Sequence, residues 1–188
     1  MNLDSLDDRY LTAPNDPELP QRLARLRALG LGNQPDQEFD QFAAKLAHIT
    51  GAPYAMVNFV GNVQYFAGLY TPSSTQTGAA MQAAQPSLHA DMSREMALDH
   101  GFCPHTVNRR KALVLDDVCD YPRFAGNPVV DKIGIRSYLG APLIDRTGTA
   151  LGTICVVDTE PRPWGRPGLG TIKTLAGELL ELIQRREG

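Results

Sequence analysis

The chain has 188 residues, 43% hydrophobic and 21% charged, with a formal net charge of −3. That length suits one domain with apolar material for a core, and the mildly acidic balance argues against nucleic acid or an anionic membrane surface as partner, since both require a basic face. No run approaches the roughly 20 apolar residues of a membrane helix, the N-terminus MNLDSLDDRYL has acids where a secretory leader has lysines, and three scattered cysteines are no disulfide framework, so the sequence reads as cytoplasmic.

In chain order, residues 1–19 are polar, acidic and broken by Pro14 and Pro17, an irregular arm ahead of a single domain over residues 20–188. Leu23, Leu26 and Leu29 predict a helix over residues 21–29, ended by Gly30. Asp36 is an N-cap for a second helix reaching residue 50, with Phe39, Phe42, Ala43, Leu46 and Ala47 on its apolar face. Residues 54–60 and 63–70 then read as strands, joined at Gly61-Asn62 by a tight turn of the kind that uses positive φ. Residues 71–91 are rich in Ser, Thr, Ala and Gln and read as a long surface loop. Residues 94–99 read as a helical turn, and residues 101–110 as strand passing into helix near Pro104. Residues 112–116 are a short strand, 121–126 a turn and 128–133 a short helix. Strands over residues 136–144 and 150–158 follow, joined by a turn with Gly148 in the left-handed region. An amphipathic helix over residues 168–186 closes the chain, with Trp164 stapling its start. Successive hairpins without βαβ alternation predict an antiparallel sheet with helices on its faces.

The stretch from Gly101 to Arg162 carries the most specific pattern. It contains Phe102-Cys103-Pro104-His105, Asp117, Pro122-Arg123-Phe124, Asn127-Pro128, Ile135-Arg136, Tyr138, Gly140-Ala141-Pro142-Leu143, Leu151-Gly152-Thr153, Cys155-Val156, Asp158 and Pro161-Arg162. This resembles GAF domains, in particular a bacterial subgroup with such an FCxH phrase. The resemblance implies an α/β fold of the α+β type, with a central antiparallel sheet of about six strands and helices on both faces. It implies small-molecule sensing or dimerisation in signalling proteins. Members of the family bind cyclic nucleotides, tetrapyrroles or haem, and one branch reduces free methionine sulfoxide. Such domains usually accompany an output module, so this chain is expected to serve a signalling protein in trans or to be part of something longer.

The expected ligand site comprises Phe59, Tyr65, Phe102, Cys103, His105, Phe124, Arg136 and Tyr138. The preferred function is a non-enzymatic sensor or regulatory module for an unidentified small molecule. Cys103 and His105 share a face only on a strand, and diverge on a helix. Read structurally, Cys103 is a small buried residue and His105 a ring at a helix start. Read chemically, they suggest a haem or other cofactor site, although a zinc site wants about four ligands and the spacing of His48, His89 and His100 supplies none. A thiol reductase is the enzymatic alternative, with Cys103 as nucleophile and Cys119 as resolving thiol. Cys155, in an apolar strand, reads as core. Asp116, Asp117 and Asp120 read as turn and capping residues. Arg136 either forks onto a ligand carboxylate or phosphate or pairs with Asp116, Asp117 or Asp131. The apolar stripes of the first and last helices either pack on their own sheet or form a homodimer.

Overall fold

The computed structural model describes residues 13–72 and 93–188. Residues 1–12 of the expected arm, and residues 73–91 of the expected loop, lie outside that set. Helices α1 (Leu19–Leu29) and α2 (Gln37–Thr50) lead into strands β1 (Tyr54–Val60) and β2 (Gln64–Tyr70). Then come β3 (Glu95–Met96), α3 (Cys103–Arg109), β4 (Leu113–Leu115) and a 3-10 turn at Val118–Asp120. Helices α4 (Pro122–Ala125) and α5 (Pro128–Lys132), strands β5 (Ser137–Ile144) and β6 (Ala150–Asp158), and the long helix α6 (Gly165–Glu187) complete the chain. All six strands join one antiparallel sheet in the order β3-β2-β1-β6-β5-β4.

Local chemistry accounts for the element ends. Asp36 accepts from the backbone N–H groups of Glu38 and Phe39, satisfying donors that the first turn of α2 leaves open. Gly30 and Gly51 take the left-handed conformation that stops α1 and α2. Gly148 takes it in the β5–β6 turn, at φ 80°.

The sheet divides the core in two. Alternation along β1 sends Ala55, Val57 and Phe59 to one face and Tyr54 and Met56 to the other. On the first face Phe39, Leu46, Leu139, Leu143, Ile172 and Leu179 are essentially inaccessible and join α2 and α6 to the sheet. Burying each such side chain stabilises the fold by about 1.5–3 kcal/mol. Gly68 lets α2 lie directly on β2, because a Cβ there would stand 2.4 Å from the Phe39 carbonyl oxygen. Leu139 reaches the start of α6, where a Cβ on Gly168 would be 3.4 Å from its methyl. On the second face the cover is α3, α4 and α5, none longer than seven residues.

Several expectations need correction. Glu95 and Met96 form an edge strand paired to β2 instead of a helical turn. Residues 101 and 102 are a bend, so no strand precedes α3. The β1–β2 turn is three residues long and uses no positive φ, the Gly61 N–H donating to the Val63 carbonyl. Part of the expected arm is anchored: Arg22 is fully buried, and its guanidinium binds the Asp16 carboxylate and the Ala150 carbonyl oxygen. Of the two readings of the α6 stripe, packing on its own sheet accounts for Ile172, Leu175, Ala176, Leu179 and Ile183, which leaves a dimer to the outer side of the helix. Among the described residues, no helix is long and apolar enough to cross a membrane.

Candidate functional site

Beneath α3 the second face holds a cavity of about 40 Å³. Its floor is the sheet. Met56 of β1 stands opposite Cys155 of β6, and Tyr138 of β5 opposite Val157. Phe66 comes from β2 and Met96 from β3. Phe102 and Cys103 form the roof, and Val129, Ile133 and Ile135 close one side. Met96, Gly101 and Ile133 are partly exposed, so the rim lies at their positions.

The roof is fixed at both ends of α3. Gly101, at φ 77°, turns the chain into the helix, and Pro104 occupies its first turn. The helix stops at Arg110, the one non-glycine with positive φ among the described residues. Its guanidinium is held by the Glu18 carboxylate and the Gly148 carbonyl oxygen, which offsets the cost of that conformation. Asn127 clasps the roof to the wall. Its amide donates to the Gly101 carbonyl, while its oxygen accepts from the N–H groups of Gly101 and Val129. The same side chain therefore caps α5 and holds the entry to α3.

A buried chain of polar contacts runs through the site. The Thr106 hydroxyl donates to the Phe102 carbonyl and so accepts from the Tyr138 hydroxyl, 2.9 Å away. The Tyr138 oxygen lies 3.3 Å from Cys103 Sγ, which touches Cys155 Sγ at 3.4 Å. Burial raises the Cys103 thiol pKa, but hydrogen bonding with Cys155, Thr153, Tyr138 and Asn58 outweighs it and brings the pKa down to about 7. Cys155 moves the opposite way, because its contact with Cys103 and its burial both oppose a second negative charge. Tyr138 is pushed up by burial and by the two thiols.

The expected site residues separate into groups. Phe102, Cys103 and Tyr138 line the cavity. Phe124 and His105 stand behind the roof, with Phe102–Phe124 and His105–Phe124 ring centroids 5.6 and 5.3 Å apart. Because α3 is helical, His105 turns away from Cys103 onto Phe124. Its Nδ1 is buried without a partner, and burial followed by the nearby Arg123 lowers its pKa to about 4. Arg136 pairs with the Asp117 carboxylate at 2.9 Å, and each shifts the other toward its charged form. Phe59 and Tyr65 are corrections. They are cross-strand partners on the opposite face, where Phe59 packs on Phe39 at 5.7 Å. Cys119 is exposed on the 3-10 turn, so the thiol beside Cys103 is Cys155 instead. Sequence reasoning missed Met56 and Met96 as cavity residues, Cys155 as more than core, and Asn127 as a clasp, whereas Phe66 was a candidate pocket wall from its hairpin and does line the cavity. Strand alternation carried a signal for Met56 and Phe66, but none for which face was the cavity's.

The model of the GAF domain family matches residues 34–180. The chain is 27% identical over 153 residues to a cyclic di-GMP phosphodiesterase of Pseudomonas aeruginosa, covering 80% of this chain and 23% of that protein. The chain thus spans about a quarter of the length of the curated relative it matches. The GAF domain of an Acinetobacter phosphoenolpyruvate-protein phosphotransferase superposes with a TM-score of 0.56 at 13% identity, over 92% of this chain and 96% of that one. Free methionine-R-sulfoxide reductase from Neisseria meningitidis does so with a TM-score of 0.53 at 13% identity, over 95% of each chain. At such identities the likeness is one of fold.

Proposed function

The chain belongs to the GAF domain family, and on that premise we propose that it is a non-enzymatic sensory or regulatory module of bacterial signal transduction. It acts in the cytoplasm, binding a small molecule in the cavity beneath α3 and passing the change to a signalling partner. The single observation that carries this reading is the cavity, walled mainly by apolar and sulfur-bearing side chains, with Gln64 and Tyr138 among them, under a roof of short helices. A cavity of about 40 Å³ lies far below the roughly 300–1,000 Å³ of drug-sized sites. A compact ligand fits it, whereas a nucleotide or tetrapyrrole would require the roof to lift. Haem has less behind it, since His105 is packed on Phe124 and does not line the cavity.

The test is a thermal-shift screen of compact ligands against the natural chain and Val157→Phe, which fills the cavity from β6. A ligand at about a hundredfold above its Kd stabilises by about 2.7 kcal/mol, a rise of roughly 5–10 °C at this size. The rise should vanish in Val157→Phe. A screen without any shift would leave a scaffold role.

A second reading, thiol-based reduction through Cys103, draws support from the contact with Cys155 and the lowered thiol. An assay with free methionine sulfoxide and a thiol reductant tests it. Turnover abolished by Cys103→Ser supports the enzyme, and no turnover discards it.

A further inference from the structure

Resting on the reading of the cavity as a ligand site, we infer that the sulfur atoms of Met56, Met96, Cys103 and Cys155 bind a soft monovalent cation of the copper(I) kind. All four residues line the one cavity. Met56 and Cys155 are register partners on adjacent strands and share the cavity face, which brings their Cβ atoms to about 4.5–5.5 Å. Cys103 descends from the roof until its sulfur is 3.4 Å from that of Cys155. Met96 approaches from the rim, its sulfur 3.6 Å from where a side chain on Gly101 would begin.

The donor set selects the ion. Thiolates and thioethers are the ligands of copper(I), whereas imidazole and oxygen donors suit harder metals. A zinc site wants four Cys, His or carboxylate donors, and no group of three or more such residues able to hold a metal exists among the described residues. Metal–sulfur bonds of about 2.3 Å at trigonal or tetrahedral angles need sulfurs about 4 Å apart. The two thiols must therefore part by about half an ångström, a small side-chain adjustment. The space of about 40 Å³ takes an ion stripped of its water, and the apolar walls keep water from returning. On binding, the S–H bonds of Cys103 and Cys155 give way to metal–sulfur bonds and the protons leave to solvent, with no change of oxidation state. The single negative charge that results meets the Tyr138 hydroxyl. It also meets the Thr153 hydroxyl, which is buried, has no other partner and stands two residues before Cys155 on the same strand face.

The experiment uses the full chain carrying Cys119→Ser, which removes the exposed thiol. It is titrated anaerobically with copper(I) against the chelator bathocuproine disulfonate. One equivalent should be withdrawn from the chelator, and X-ray absorption should show sulfur neighbours alone at about 2.3 Å. Cys103→Ser and Cys155→Ser should each weaken binding by more than the roughly 10–100-fold typical of outer-shell changes. Met56→Leu and Met96→Leu, which keep volume and fold, should weaken it by about 10-fold. No withdrawal from the chelator, nitrogen or oxygen neighbours, binding undiminished in Cys103→Ser, or a Cys103–Cys155 disulfide formed in place of a complex would each overturn the inference. If copper(I) fails but an organic ligand gives a melting shift lost in Val157→Phe, the inference falls and the sensory reading stands. If both fail, both fall.

Discussion

At the scale of single residues, His105 gives the cleanest consequence. Its ring is held neutral behind the roof, with a folded pKa of about 4 against 6.5 ordinarily. Well above pH 6.5 both folded and unfolded chains carry it neutral, and its titration leaves stability unchanged. As pH falls from 6.5 toward 4 the unfolded chain takes up a proton that the folded chain refuses, so stability declines across that window. The decline should be about 2 kcal/mol between pH 6.5 and about pH 5. Urea melts across that range should show it in the natural chain and a flatter profile in His105→Phe, and equal slopes would refute it. Legibility at this scale was uneven for physical reasons. Cys103 and Tyr138 stood out because a thiol and a phenol in an apolar stretch invite a partner. Arg22 did not, because its burial depends on Asp16 and Ala150, which only the fold brings to it. Phe59 and Tyr65 lie on the face away from the cavity, which their spacing alone does not tell, since a period of two fixes which residues face together and not what they face.

At the scale of elements, most boundaries were written locally. The cap at Asp36, the stops at Gly30 and Gly51 and the β6 limits needed no tertiary information. β3 was illegible because two residues make a strand only through the edge of β2 that they join. The packing of α2 on β2 depends on one missing atom. Gly68→Ala would drive a methyl into the Phe39 carbonyl, a backbone group that no rotamer can move. We expect a loss of about 1–3 kcal/mol or more, as in overpacked cores, read as a lowered denaturant midpoint. Gly170→Ala, where nothing lies within 4 Å, is the control and should be neutral or stabilising.

At the scale of the molecule, charge ties the first two helices to the last. Arg25 bonds Asp145 and Glu187, and Arg186 pairs with Asp36 and Glu38 while lying 4.5 Å over the Phe39 ring. We propose the homodimer through the terminal helices α1 and α6, with the outer side of α6 at Gly177, where an added Cβ would meet nothing within 4 Å, facing the second copy. A specific interface buries roughly 1,200–2,000 Å², so sedimentation should give a dimer that Gly177→Arg returns to monomer; a monomer throughout would refute it. Whatever partner reads this side, the alternation of the strands bears on how it is told. Tyr138 faces the cavity, and its neighbour Leu139 presses on the first turns of α6. The two share one planar peptide bond, so a shift of the strand backbone at one is passed to the other. On the proposed sensory reading the sheet would be no partition between a sensing side and a speaking side: each strand would serve as a lever with its fulcrum in the plane, a push below carried one residue along to the face above.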